Sequence, residues 1–221
     1  MGETSKQTRP RLLSGLEFLL AAAVVLGHNI WHVIPNEVPI LAVAGLVSVR
    51  LREGGWAALG FRRPKSWVRV VIIAVAAAAL RLIVSDPIQA VLTPIWGTPT
   101  ESSTIISGGH DLHWLITTLA IVWTFAAFGE EISYRGYITL RGSDALGGST
   151  FAWIIATVAA AVLFGFGHYY KGPVGMVDSG VAGLILGAAY LLSGRCLWTT
   201  ILAHGLIDTT GVVLFYLGLA S

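Results

Sequence analysis

The chain has 221 residues, 55% hydrophobic and 12% charged, with a formal net charge of +2 and a mean hydropathy of +0.74. Soluble domains carry about a quarter charged residues, so the composition excludes an ordinary soluble core and points to a membrane protein. The single cysteine, Cys196, excludes an internal disulfide framework and argues against a cysteine-based metal site; it reads as a small packing residue.

About twenty apolar residues cross the roughly 30 Å hydrocarbon layer. The first such run, about 12–34, follows a basic segment holding Lys6, Arg9 and Arg11. No small-x-small cleavage site follows it and further spans come after, so it reads as a retained helix rather than a signal peptide. The second run, 38–50, is short, and a re-entrant or partly buried segment is the alternative to a crossing. The loop at 50–69, LREGGWAALGFRRPKSW, carries Arg50, Arg52, Arg62, Arg63, Lys65 and Arg69. Beside apolar spans such clusters read as topology signals rather than a nucleic-acid surface, and they put this loop and the N-terminus in the cytoplasm.

The third run covers 67–90. Segment 87–112 is rich in Pro, Gly, Ser and Thr and lacks basic residues, so it reads as the longest external connection. Runs at 112–141, 151–169, 176–192 and 198–219 follow, with Arg141 and Arg195 marking cytoplasmic turns. None shows strand-like alternation, and a backbone in lipid needs helices or a closed barrel. The expected fold is an all-α polytopic bundle of six to seven transmembrane helices, eight at most, enclosing a polar intramembrane cavity.

Three polar groupings interrupt three of the last four runs. FGEEISYRGY places Glu130, Glu131 and Arg135 at the end of an apolar stretch. Residues four apart share a helix face, and Glu before Arg is the favourable order, so Glu131 pairs with Arg135. Glu130 then points about 100° away at roughly 3.6 residues per turn. An unpaired carboxylate in a membrane is costly and by default a functional candidate; a solvated helix end is the plain alternative. VLFGFGHYY sets Phe164 and His168 on one face, and TTILAHGLIDTTG does the same for His204 and Asp208. Two histidines, an aspartate and the Glu-Glu pair in successive runs suggest one shared site. By rise along the helix, His168 sits deeper than Glu130 or His204, which strains that convergence.

EEISYR, FGFGH and HGLID fit Glu-Glu-x-x-x-Arg, Phe-x-x-x-His and His-x-x-x-Asn/Asp. In order and spacing they resemble the CAAX prenyl endopeptidase and bacteriocin-processing (CPBP, or Abi) family of intramembrane proteases, and WAALGFRRP resembles a further segment of that family. The resemblance implies a single integral membrane domain over 1–221 with a catalytic core at about 112–219. It also implies a peptide-bond hydrolase in which Glu130 is the general base activating water and His168 helps hold that water. His204 would stabilise the oxyanion, Glu131 and Arg135 would be structural, and Phe164 would wall the cavity. Partial desolvation strengthens a carboxylate as a base when it is ionised. Asp208 departs from the family's asparagine. An ionised aspartate accepts but does not donate, so it donates only if protonated, and otherwise orients His204 or binds a metal. The resemblance allows zinc on Glu130, His168 and His204, but no HExxH spacing supports it, and a metal-free site is the expectation.

The implied partners are the bilayer and a peptide or membrane-protein substrate, with no nucleic acid. The Ala/Gly-rich chain suggests a bacterial cell membrane, where prenylated substrates are scarce. A proton- or ion-coupled transporter is the main alternative, although inverted repeats are not found; a non-catalytic peptide-binding or immunity protein is the other. His28, His32, His110 and His113 read as interfacial, and Glu17 and Arg81 as lying near helix ends or snorkelling. Gly165, Gly167, Gly183, Gly187 and Gly205 read as close-packing sites. Trp31, Trp67, Trp96, Trp114 and Trp198 read as interfacial anchors.

Overall fold

The computed structural model describes residues 2–99 and 111–219, with side chains described from residue 10 onward. These residues form seven helices: α1 (Gly2–Asn29), α2 (Glu37–Glu53), α3 (Trp67–Trp96), α4 (Leu112–Ala145), α5 (Thr150–Phe166), α6 (Gly172–Leu192) and α7 (Leu197–Tyr216). Among the described residues no strand occurs, and five helices are long and apolar enough to cross a membrane: α1, α3, α4, α7 and the Tyr169–Leu192 segment that contains α6. Apolar side chains such as Leu19, Val43, Ile72, Ile83 and Phe151 cover the outside, while Glu131, Arg135 and Arg141 are buried. That inverted polarity marks an all-α integral membrane protein.

The bundle is organised around α4. It packs against α2 on one side and α7 on the other; α5 pairs with α6, α3 lies on α6 and α7, and α1 covers the C-terminal part of α4. Small residues set the closest approaches. A side chain at Gly183 would meet the Ala161 backbone at 3.0 Å, and one at Gly165 the carbonyl of Met176 at 2.8 Å.

Several boundaries differ from the sequence expectation. Helix α1 includes the basic segment and stops at Asn29, whose amide donates to the carbonyl of Val25 and to Glu37. Helix α3 continues through Pro87 and Pro94 to Trp96, so the first part of the expected external connection, 87–96, is helix. Proline is more frequent in membrane-spanning helices than in soluble ones. His110 and the rest of 100–110 lie outside the described residues. Helix α4 runs to Ala145, beyond the expected 141, and its middle, Val122–Ile138, winds with i→i+5 hydrogen bonds. Such winding is rare and associated with functional positions.

Glu17 and Arg81 do not snorkel. Glu17 pairs with Arg52 at 2.6 Å and with the fully buried Arg141 at 2.9 Å, and Arg81 pairs with Asp178 at 2.5 Å. His28 is likewise no free interfacial residue: it lies 3.2 Å from the buried Glu37 and bonds the carbonyl of Ile34 at 2.7 Å. His32 and His113 are exposed. Trp198, at the start of α7, packs its ring against Phe61, Trp67 and Phe128. The WAALGFRRP segment forms a short 3-10 turn, Trp56–Leu59. The left-handed Gly60 that follows accepts the Leu197 amide at the start of α7 at 3.1 Å. A β-carbon at Gly60 would lie 2.7 Å from the Arg195 carbonyl, so only glycine fits that junction.

Candidate functional site

Helix α4 supplies Glu130, Glu131 and Arg135, and α7 supplies His204 and Asp208. Glu131 is completely buried. One of its oxygens, Oε1, accepts from Arg135 Nη1 at 2.8 Å and from His204 Nδ1 at 2.8 Å. Such bonds to ionised groups are shorter and stronger than neutral ones. The guanidinium is further held by the Gly183 carbonyl at 3.3 Å and lies 4.4 Å over the Phe164 ring.

Fixing Nδ1 on Glu131 turns the other nitrogen of His204 to the remaining carboxylates. Its Nε2 lies 4.0 Å from Glu130 Oε2 and 3.5 Å from Asp208 Oδ2. Glu130 and Glu131 approach His204 from its two different nitrogens, across the widened stretch of α4. Glu131 thus has a second contact that its spacing to Arg135 does not reveal.

His168 lies just past α5, before the turn Tyr169–Lys171 that leads into α6. Its Nδ1 is 2.8 Å from the Phe164 carbonyl. A carbonyl only accepts, so Nδ1 carries the hydrogen and Nε2 is left as an acceptor. Phe164 links the cluster: its ring centroid lies 4.7 Å from that of His168, 6.1 Å from His204 and 5.0 Å from Tyr134. The apparent depth mismatch of His168 shrinks because α4 extends to Ala145, which puts Glu130 about 20 Å from that end at up to roughly 1.5 Å per residue.

Glu130, His168, His204 and Asp208 line one cavity of about 690 Å³. Its walls are apolar toward Phe125 and Val212 and polar toward Lys171 and the Arg81–Asp178 pair. Glu130 Oε2 is buried with no hydrogen-bond partner among the described residues. Sequence reasoning missed Lys171, three residues after His168, although a cation inside an apolar stretch is itself a signal. It also missed the Arg81–Asp178 pair, whose members lie on different helices.

Glu130, His168 and His204 are the residues that would hold the zinc the resemblance allows. Among the described residues no three His, Cys, Asp or Glu side chains converge as a metal-holding group, so Glu130, His168 and His204 do not fit zinc as arranged here, and no step is routed through a metal.

The arrangement joins an acid whose buried Oε2 accepts no hydrogen bond from the described residues, two imidazoles with assigned nitrogens and a cavity of about 690 Å³. Residues 112–210 match the family model described as type II CAAX prenyl endopeptidase Rce1-like. No curated protein and no solved structure matches the chain. The matched segment, which resembles that family, contains Glu130, His168, His204 and Asp208.

Proposed function

We propose that the chain is an intramembrane endopeptidase in which Glu130 activates water for hydrolysis of a peptide bond. The observation that carries this reading is the buried Glu130 Oε2, which has no hydrogen-bond partner among the described residues, on a cavity shared with His168, His204 and Asp208. A carboxylate held out of water beside a cavity is suited to take a proton. The water proton passes to Glu130 as the water oxygen bonds to the scissile carbonyl carbon, and the carbonyl electron pair moves onto its oxygen. Collapse of that intermediate breaks the C–N bond, and the proton held by Glu130 goes to the leaving nitrogen. His168 Nε2, free because Nδ1 is committed to Phe164, accepts a hydrogen bond from the attacking water. His204, oriented by Glu131, offers Nε2–H to the oxyanion in its doubly protonated form.

The substrate is a peptide or membrane-protein segment that enters the cavity from the bilayer or the cytoplasm. The whole chain acts as one membrane unit with its catalytic core at 112–219, in a bacterial cell membrane and without a metal. The N-terminus faces the cytoplasm. Supporting this orientation, the C-terminal end of α2, the N-terminal end of α3 and the C-terminal end of α4 bring Arg50, Arg52, Arg69 and Arg141 to one end of the bundle, as the positive-inside rule requires.

The test is a comparison of membrane peptidomes from cells carrying wild type and Glu130→Gln. Peptides present with wild type and missing with the variant are expected. Equal turnover by the two would show that Glu130 is not the base.

A further inference from the structure

The charges around the cavity do not balance without one further residue. Arg135 is committed to Glu131 and Arg81 to Asp178. Glu130 and Asp208 remain, both facing the one imidazole edge of His204. Lys171 lines the same cavity and forms no ion pair with any described residue. Its ammonium stands 5.8 Å over the Tyr170 ring, and it lies within electrostatic reach of Asp208 and Glu130. Its aliphatic stem crosses Gly175 so closely that any side chain at 175 would collide with it. The site is therefore built to aim a long, rotatable cation into the cavity.

Asp208, when ionised, accepts hydrogen bonds and cannot donate one to an oxygen that is gaining negative charge. A lysine ammonium offers three donors and no acceptor. We propose that Lys171 donates to the scissile carbonyl oxygen as the oxyanion forms, with Asp208 drawing the ammonium into place. The inference rests on the hydrolase reading above. The ammonium lends a hydrogen bond and keeps its proton. The electron pair that moves onto the oxygen when water adds returns to the C–O bond when C–N breaks. Lys171 and Asp208 together then do what a neutral amide donor at position 208 would do alone.

The test is a double-mutant cycle in micelles on a quenched-fluorescent peptide of apolar sequence, comparing wild type, Lys171→Gln, Asp208→Asn and the double variant. Lys171→Gln is expected to lower kcat about 100-fold, the scale of losing one oxyanion donor, with KM within about twofold. In the Asp208→Asn background the same change is expected to lower kcat by less than about fivefold, because the amide now donates and the charge to be balanced is gone. An equal loss in both backgrounds, or an unchanged kcat, overturns the proposal. Chemical rescue covers the case of a poorly folded variant. Lys171→Cys, treated with bromoethylamine, regains a side chain ending in an ammonium, while the native Cys196 is buried and protected. Recovery of kcat with bromoethylamine but not iodoacetamide supports the donor role, and recovery with neither overturns it. Failure of wild type to cleave any peptide, or full activity of Glu130→Gln, overturns the hydrolase reading itself and is read separately from the cycle.

Discussion

Replacing Glu131 by glutamine keeps the shape of the side chain and removes its charge. In the wild-type protein one carboxylate oxygen accepts from both Arg135 and His204 at 2.8 Å, and the Arg135 side chain is only 3% exposed. Hydrogen bonds to charged groups contribute roughly 1.5–3 kcal/mol each, so two give roughly 3–6 kcal/mol. Breaking a buried pair while leaving the other charge behind costs about 3–5 kcal/mol by a separate line of reasoning. The two ranges overlap, and Glu131→Gln is expected to destabilise the fold by about 4 kcal/mol. At about 2–4 °C per kcal/mol for a chain of this size, Tm should fall by roughly 8–16 °C. Cys196, the only cysteine and buried, is a built-in reporter: a thiol-reactive dye labels it only once the bundle opens. The second arm is Glu131→Gln with Arg135→Met, which removes both charges. That variant should recover at least half of the lost Tm, since a buried ion pair is replaceable by apolar groups at little net cost. A single variant within about 1 kcal/mol of wild type, or a double variant losing the sum of its singles, would refute the shared-carboxylate account.

Arg81→Met should destabilise the fold by about 3–5 kcal/mol, because Asp178, 8% exposed, is left with Ser85 alone; Asp178→Asn in the same chain should restore most of the loss in the dye assay. Gly205→Ala should cost about 1–3 kcal/mol by overpacking, since the added methyl would strike the Trp123 indole, and a wild-type Tm would show that Trp123 yields freely. Treating purified enzyme with a metal chelator should leave peptide cleavage intact; loss of cleavage with recovery on adding zinc would overturn the metal-free site.

The four polar residues on the cavity were legible because each sits in an apolar run, where a charge or imidazole stands out. Helical spacing also identified the Glu131–Arg135 ion pair. The limits of that reading are physical. Spacing rules describe one helix with 3.6 residues per turn, and α4 departs from that winding over Val122–Ile138. Glu131 reaching His204 is a contact 73 residues apart in sequence, and Arg81 reaching Asp178 spans 97; no local pattern encodes either. Composition misread the stretch after residue 86, because proline signals a break in soluble helices but is frequent in membrane-spanning ones, and α3 continues through Pro87 and Pro94. Lys171 was overlooked because its meaning depends on which acids already have partners, and only the packed structure assigns those partners.

Arg141 belongs to the segment that carries the family's sequence pattern, yet its guanidinium is shared with Glu17, Ser48 and Glu53 from the preceding half of the chain, and only Asp144 is local. A fragment beginning at residue 112 would therefore bury an arginine with most of its acceptors missing, a strongly destabilising condition. The N-terminal helices act in this sense as an internal assembly partner. Two separately expressed halves should recombine in the membrane with this side chain as one of their ties, and substituting Glu17 and Glu53 with glutamine should weaken that reunion while leaving the cavity residues untouched.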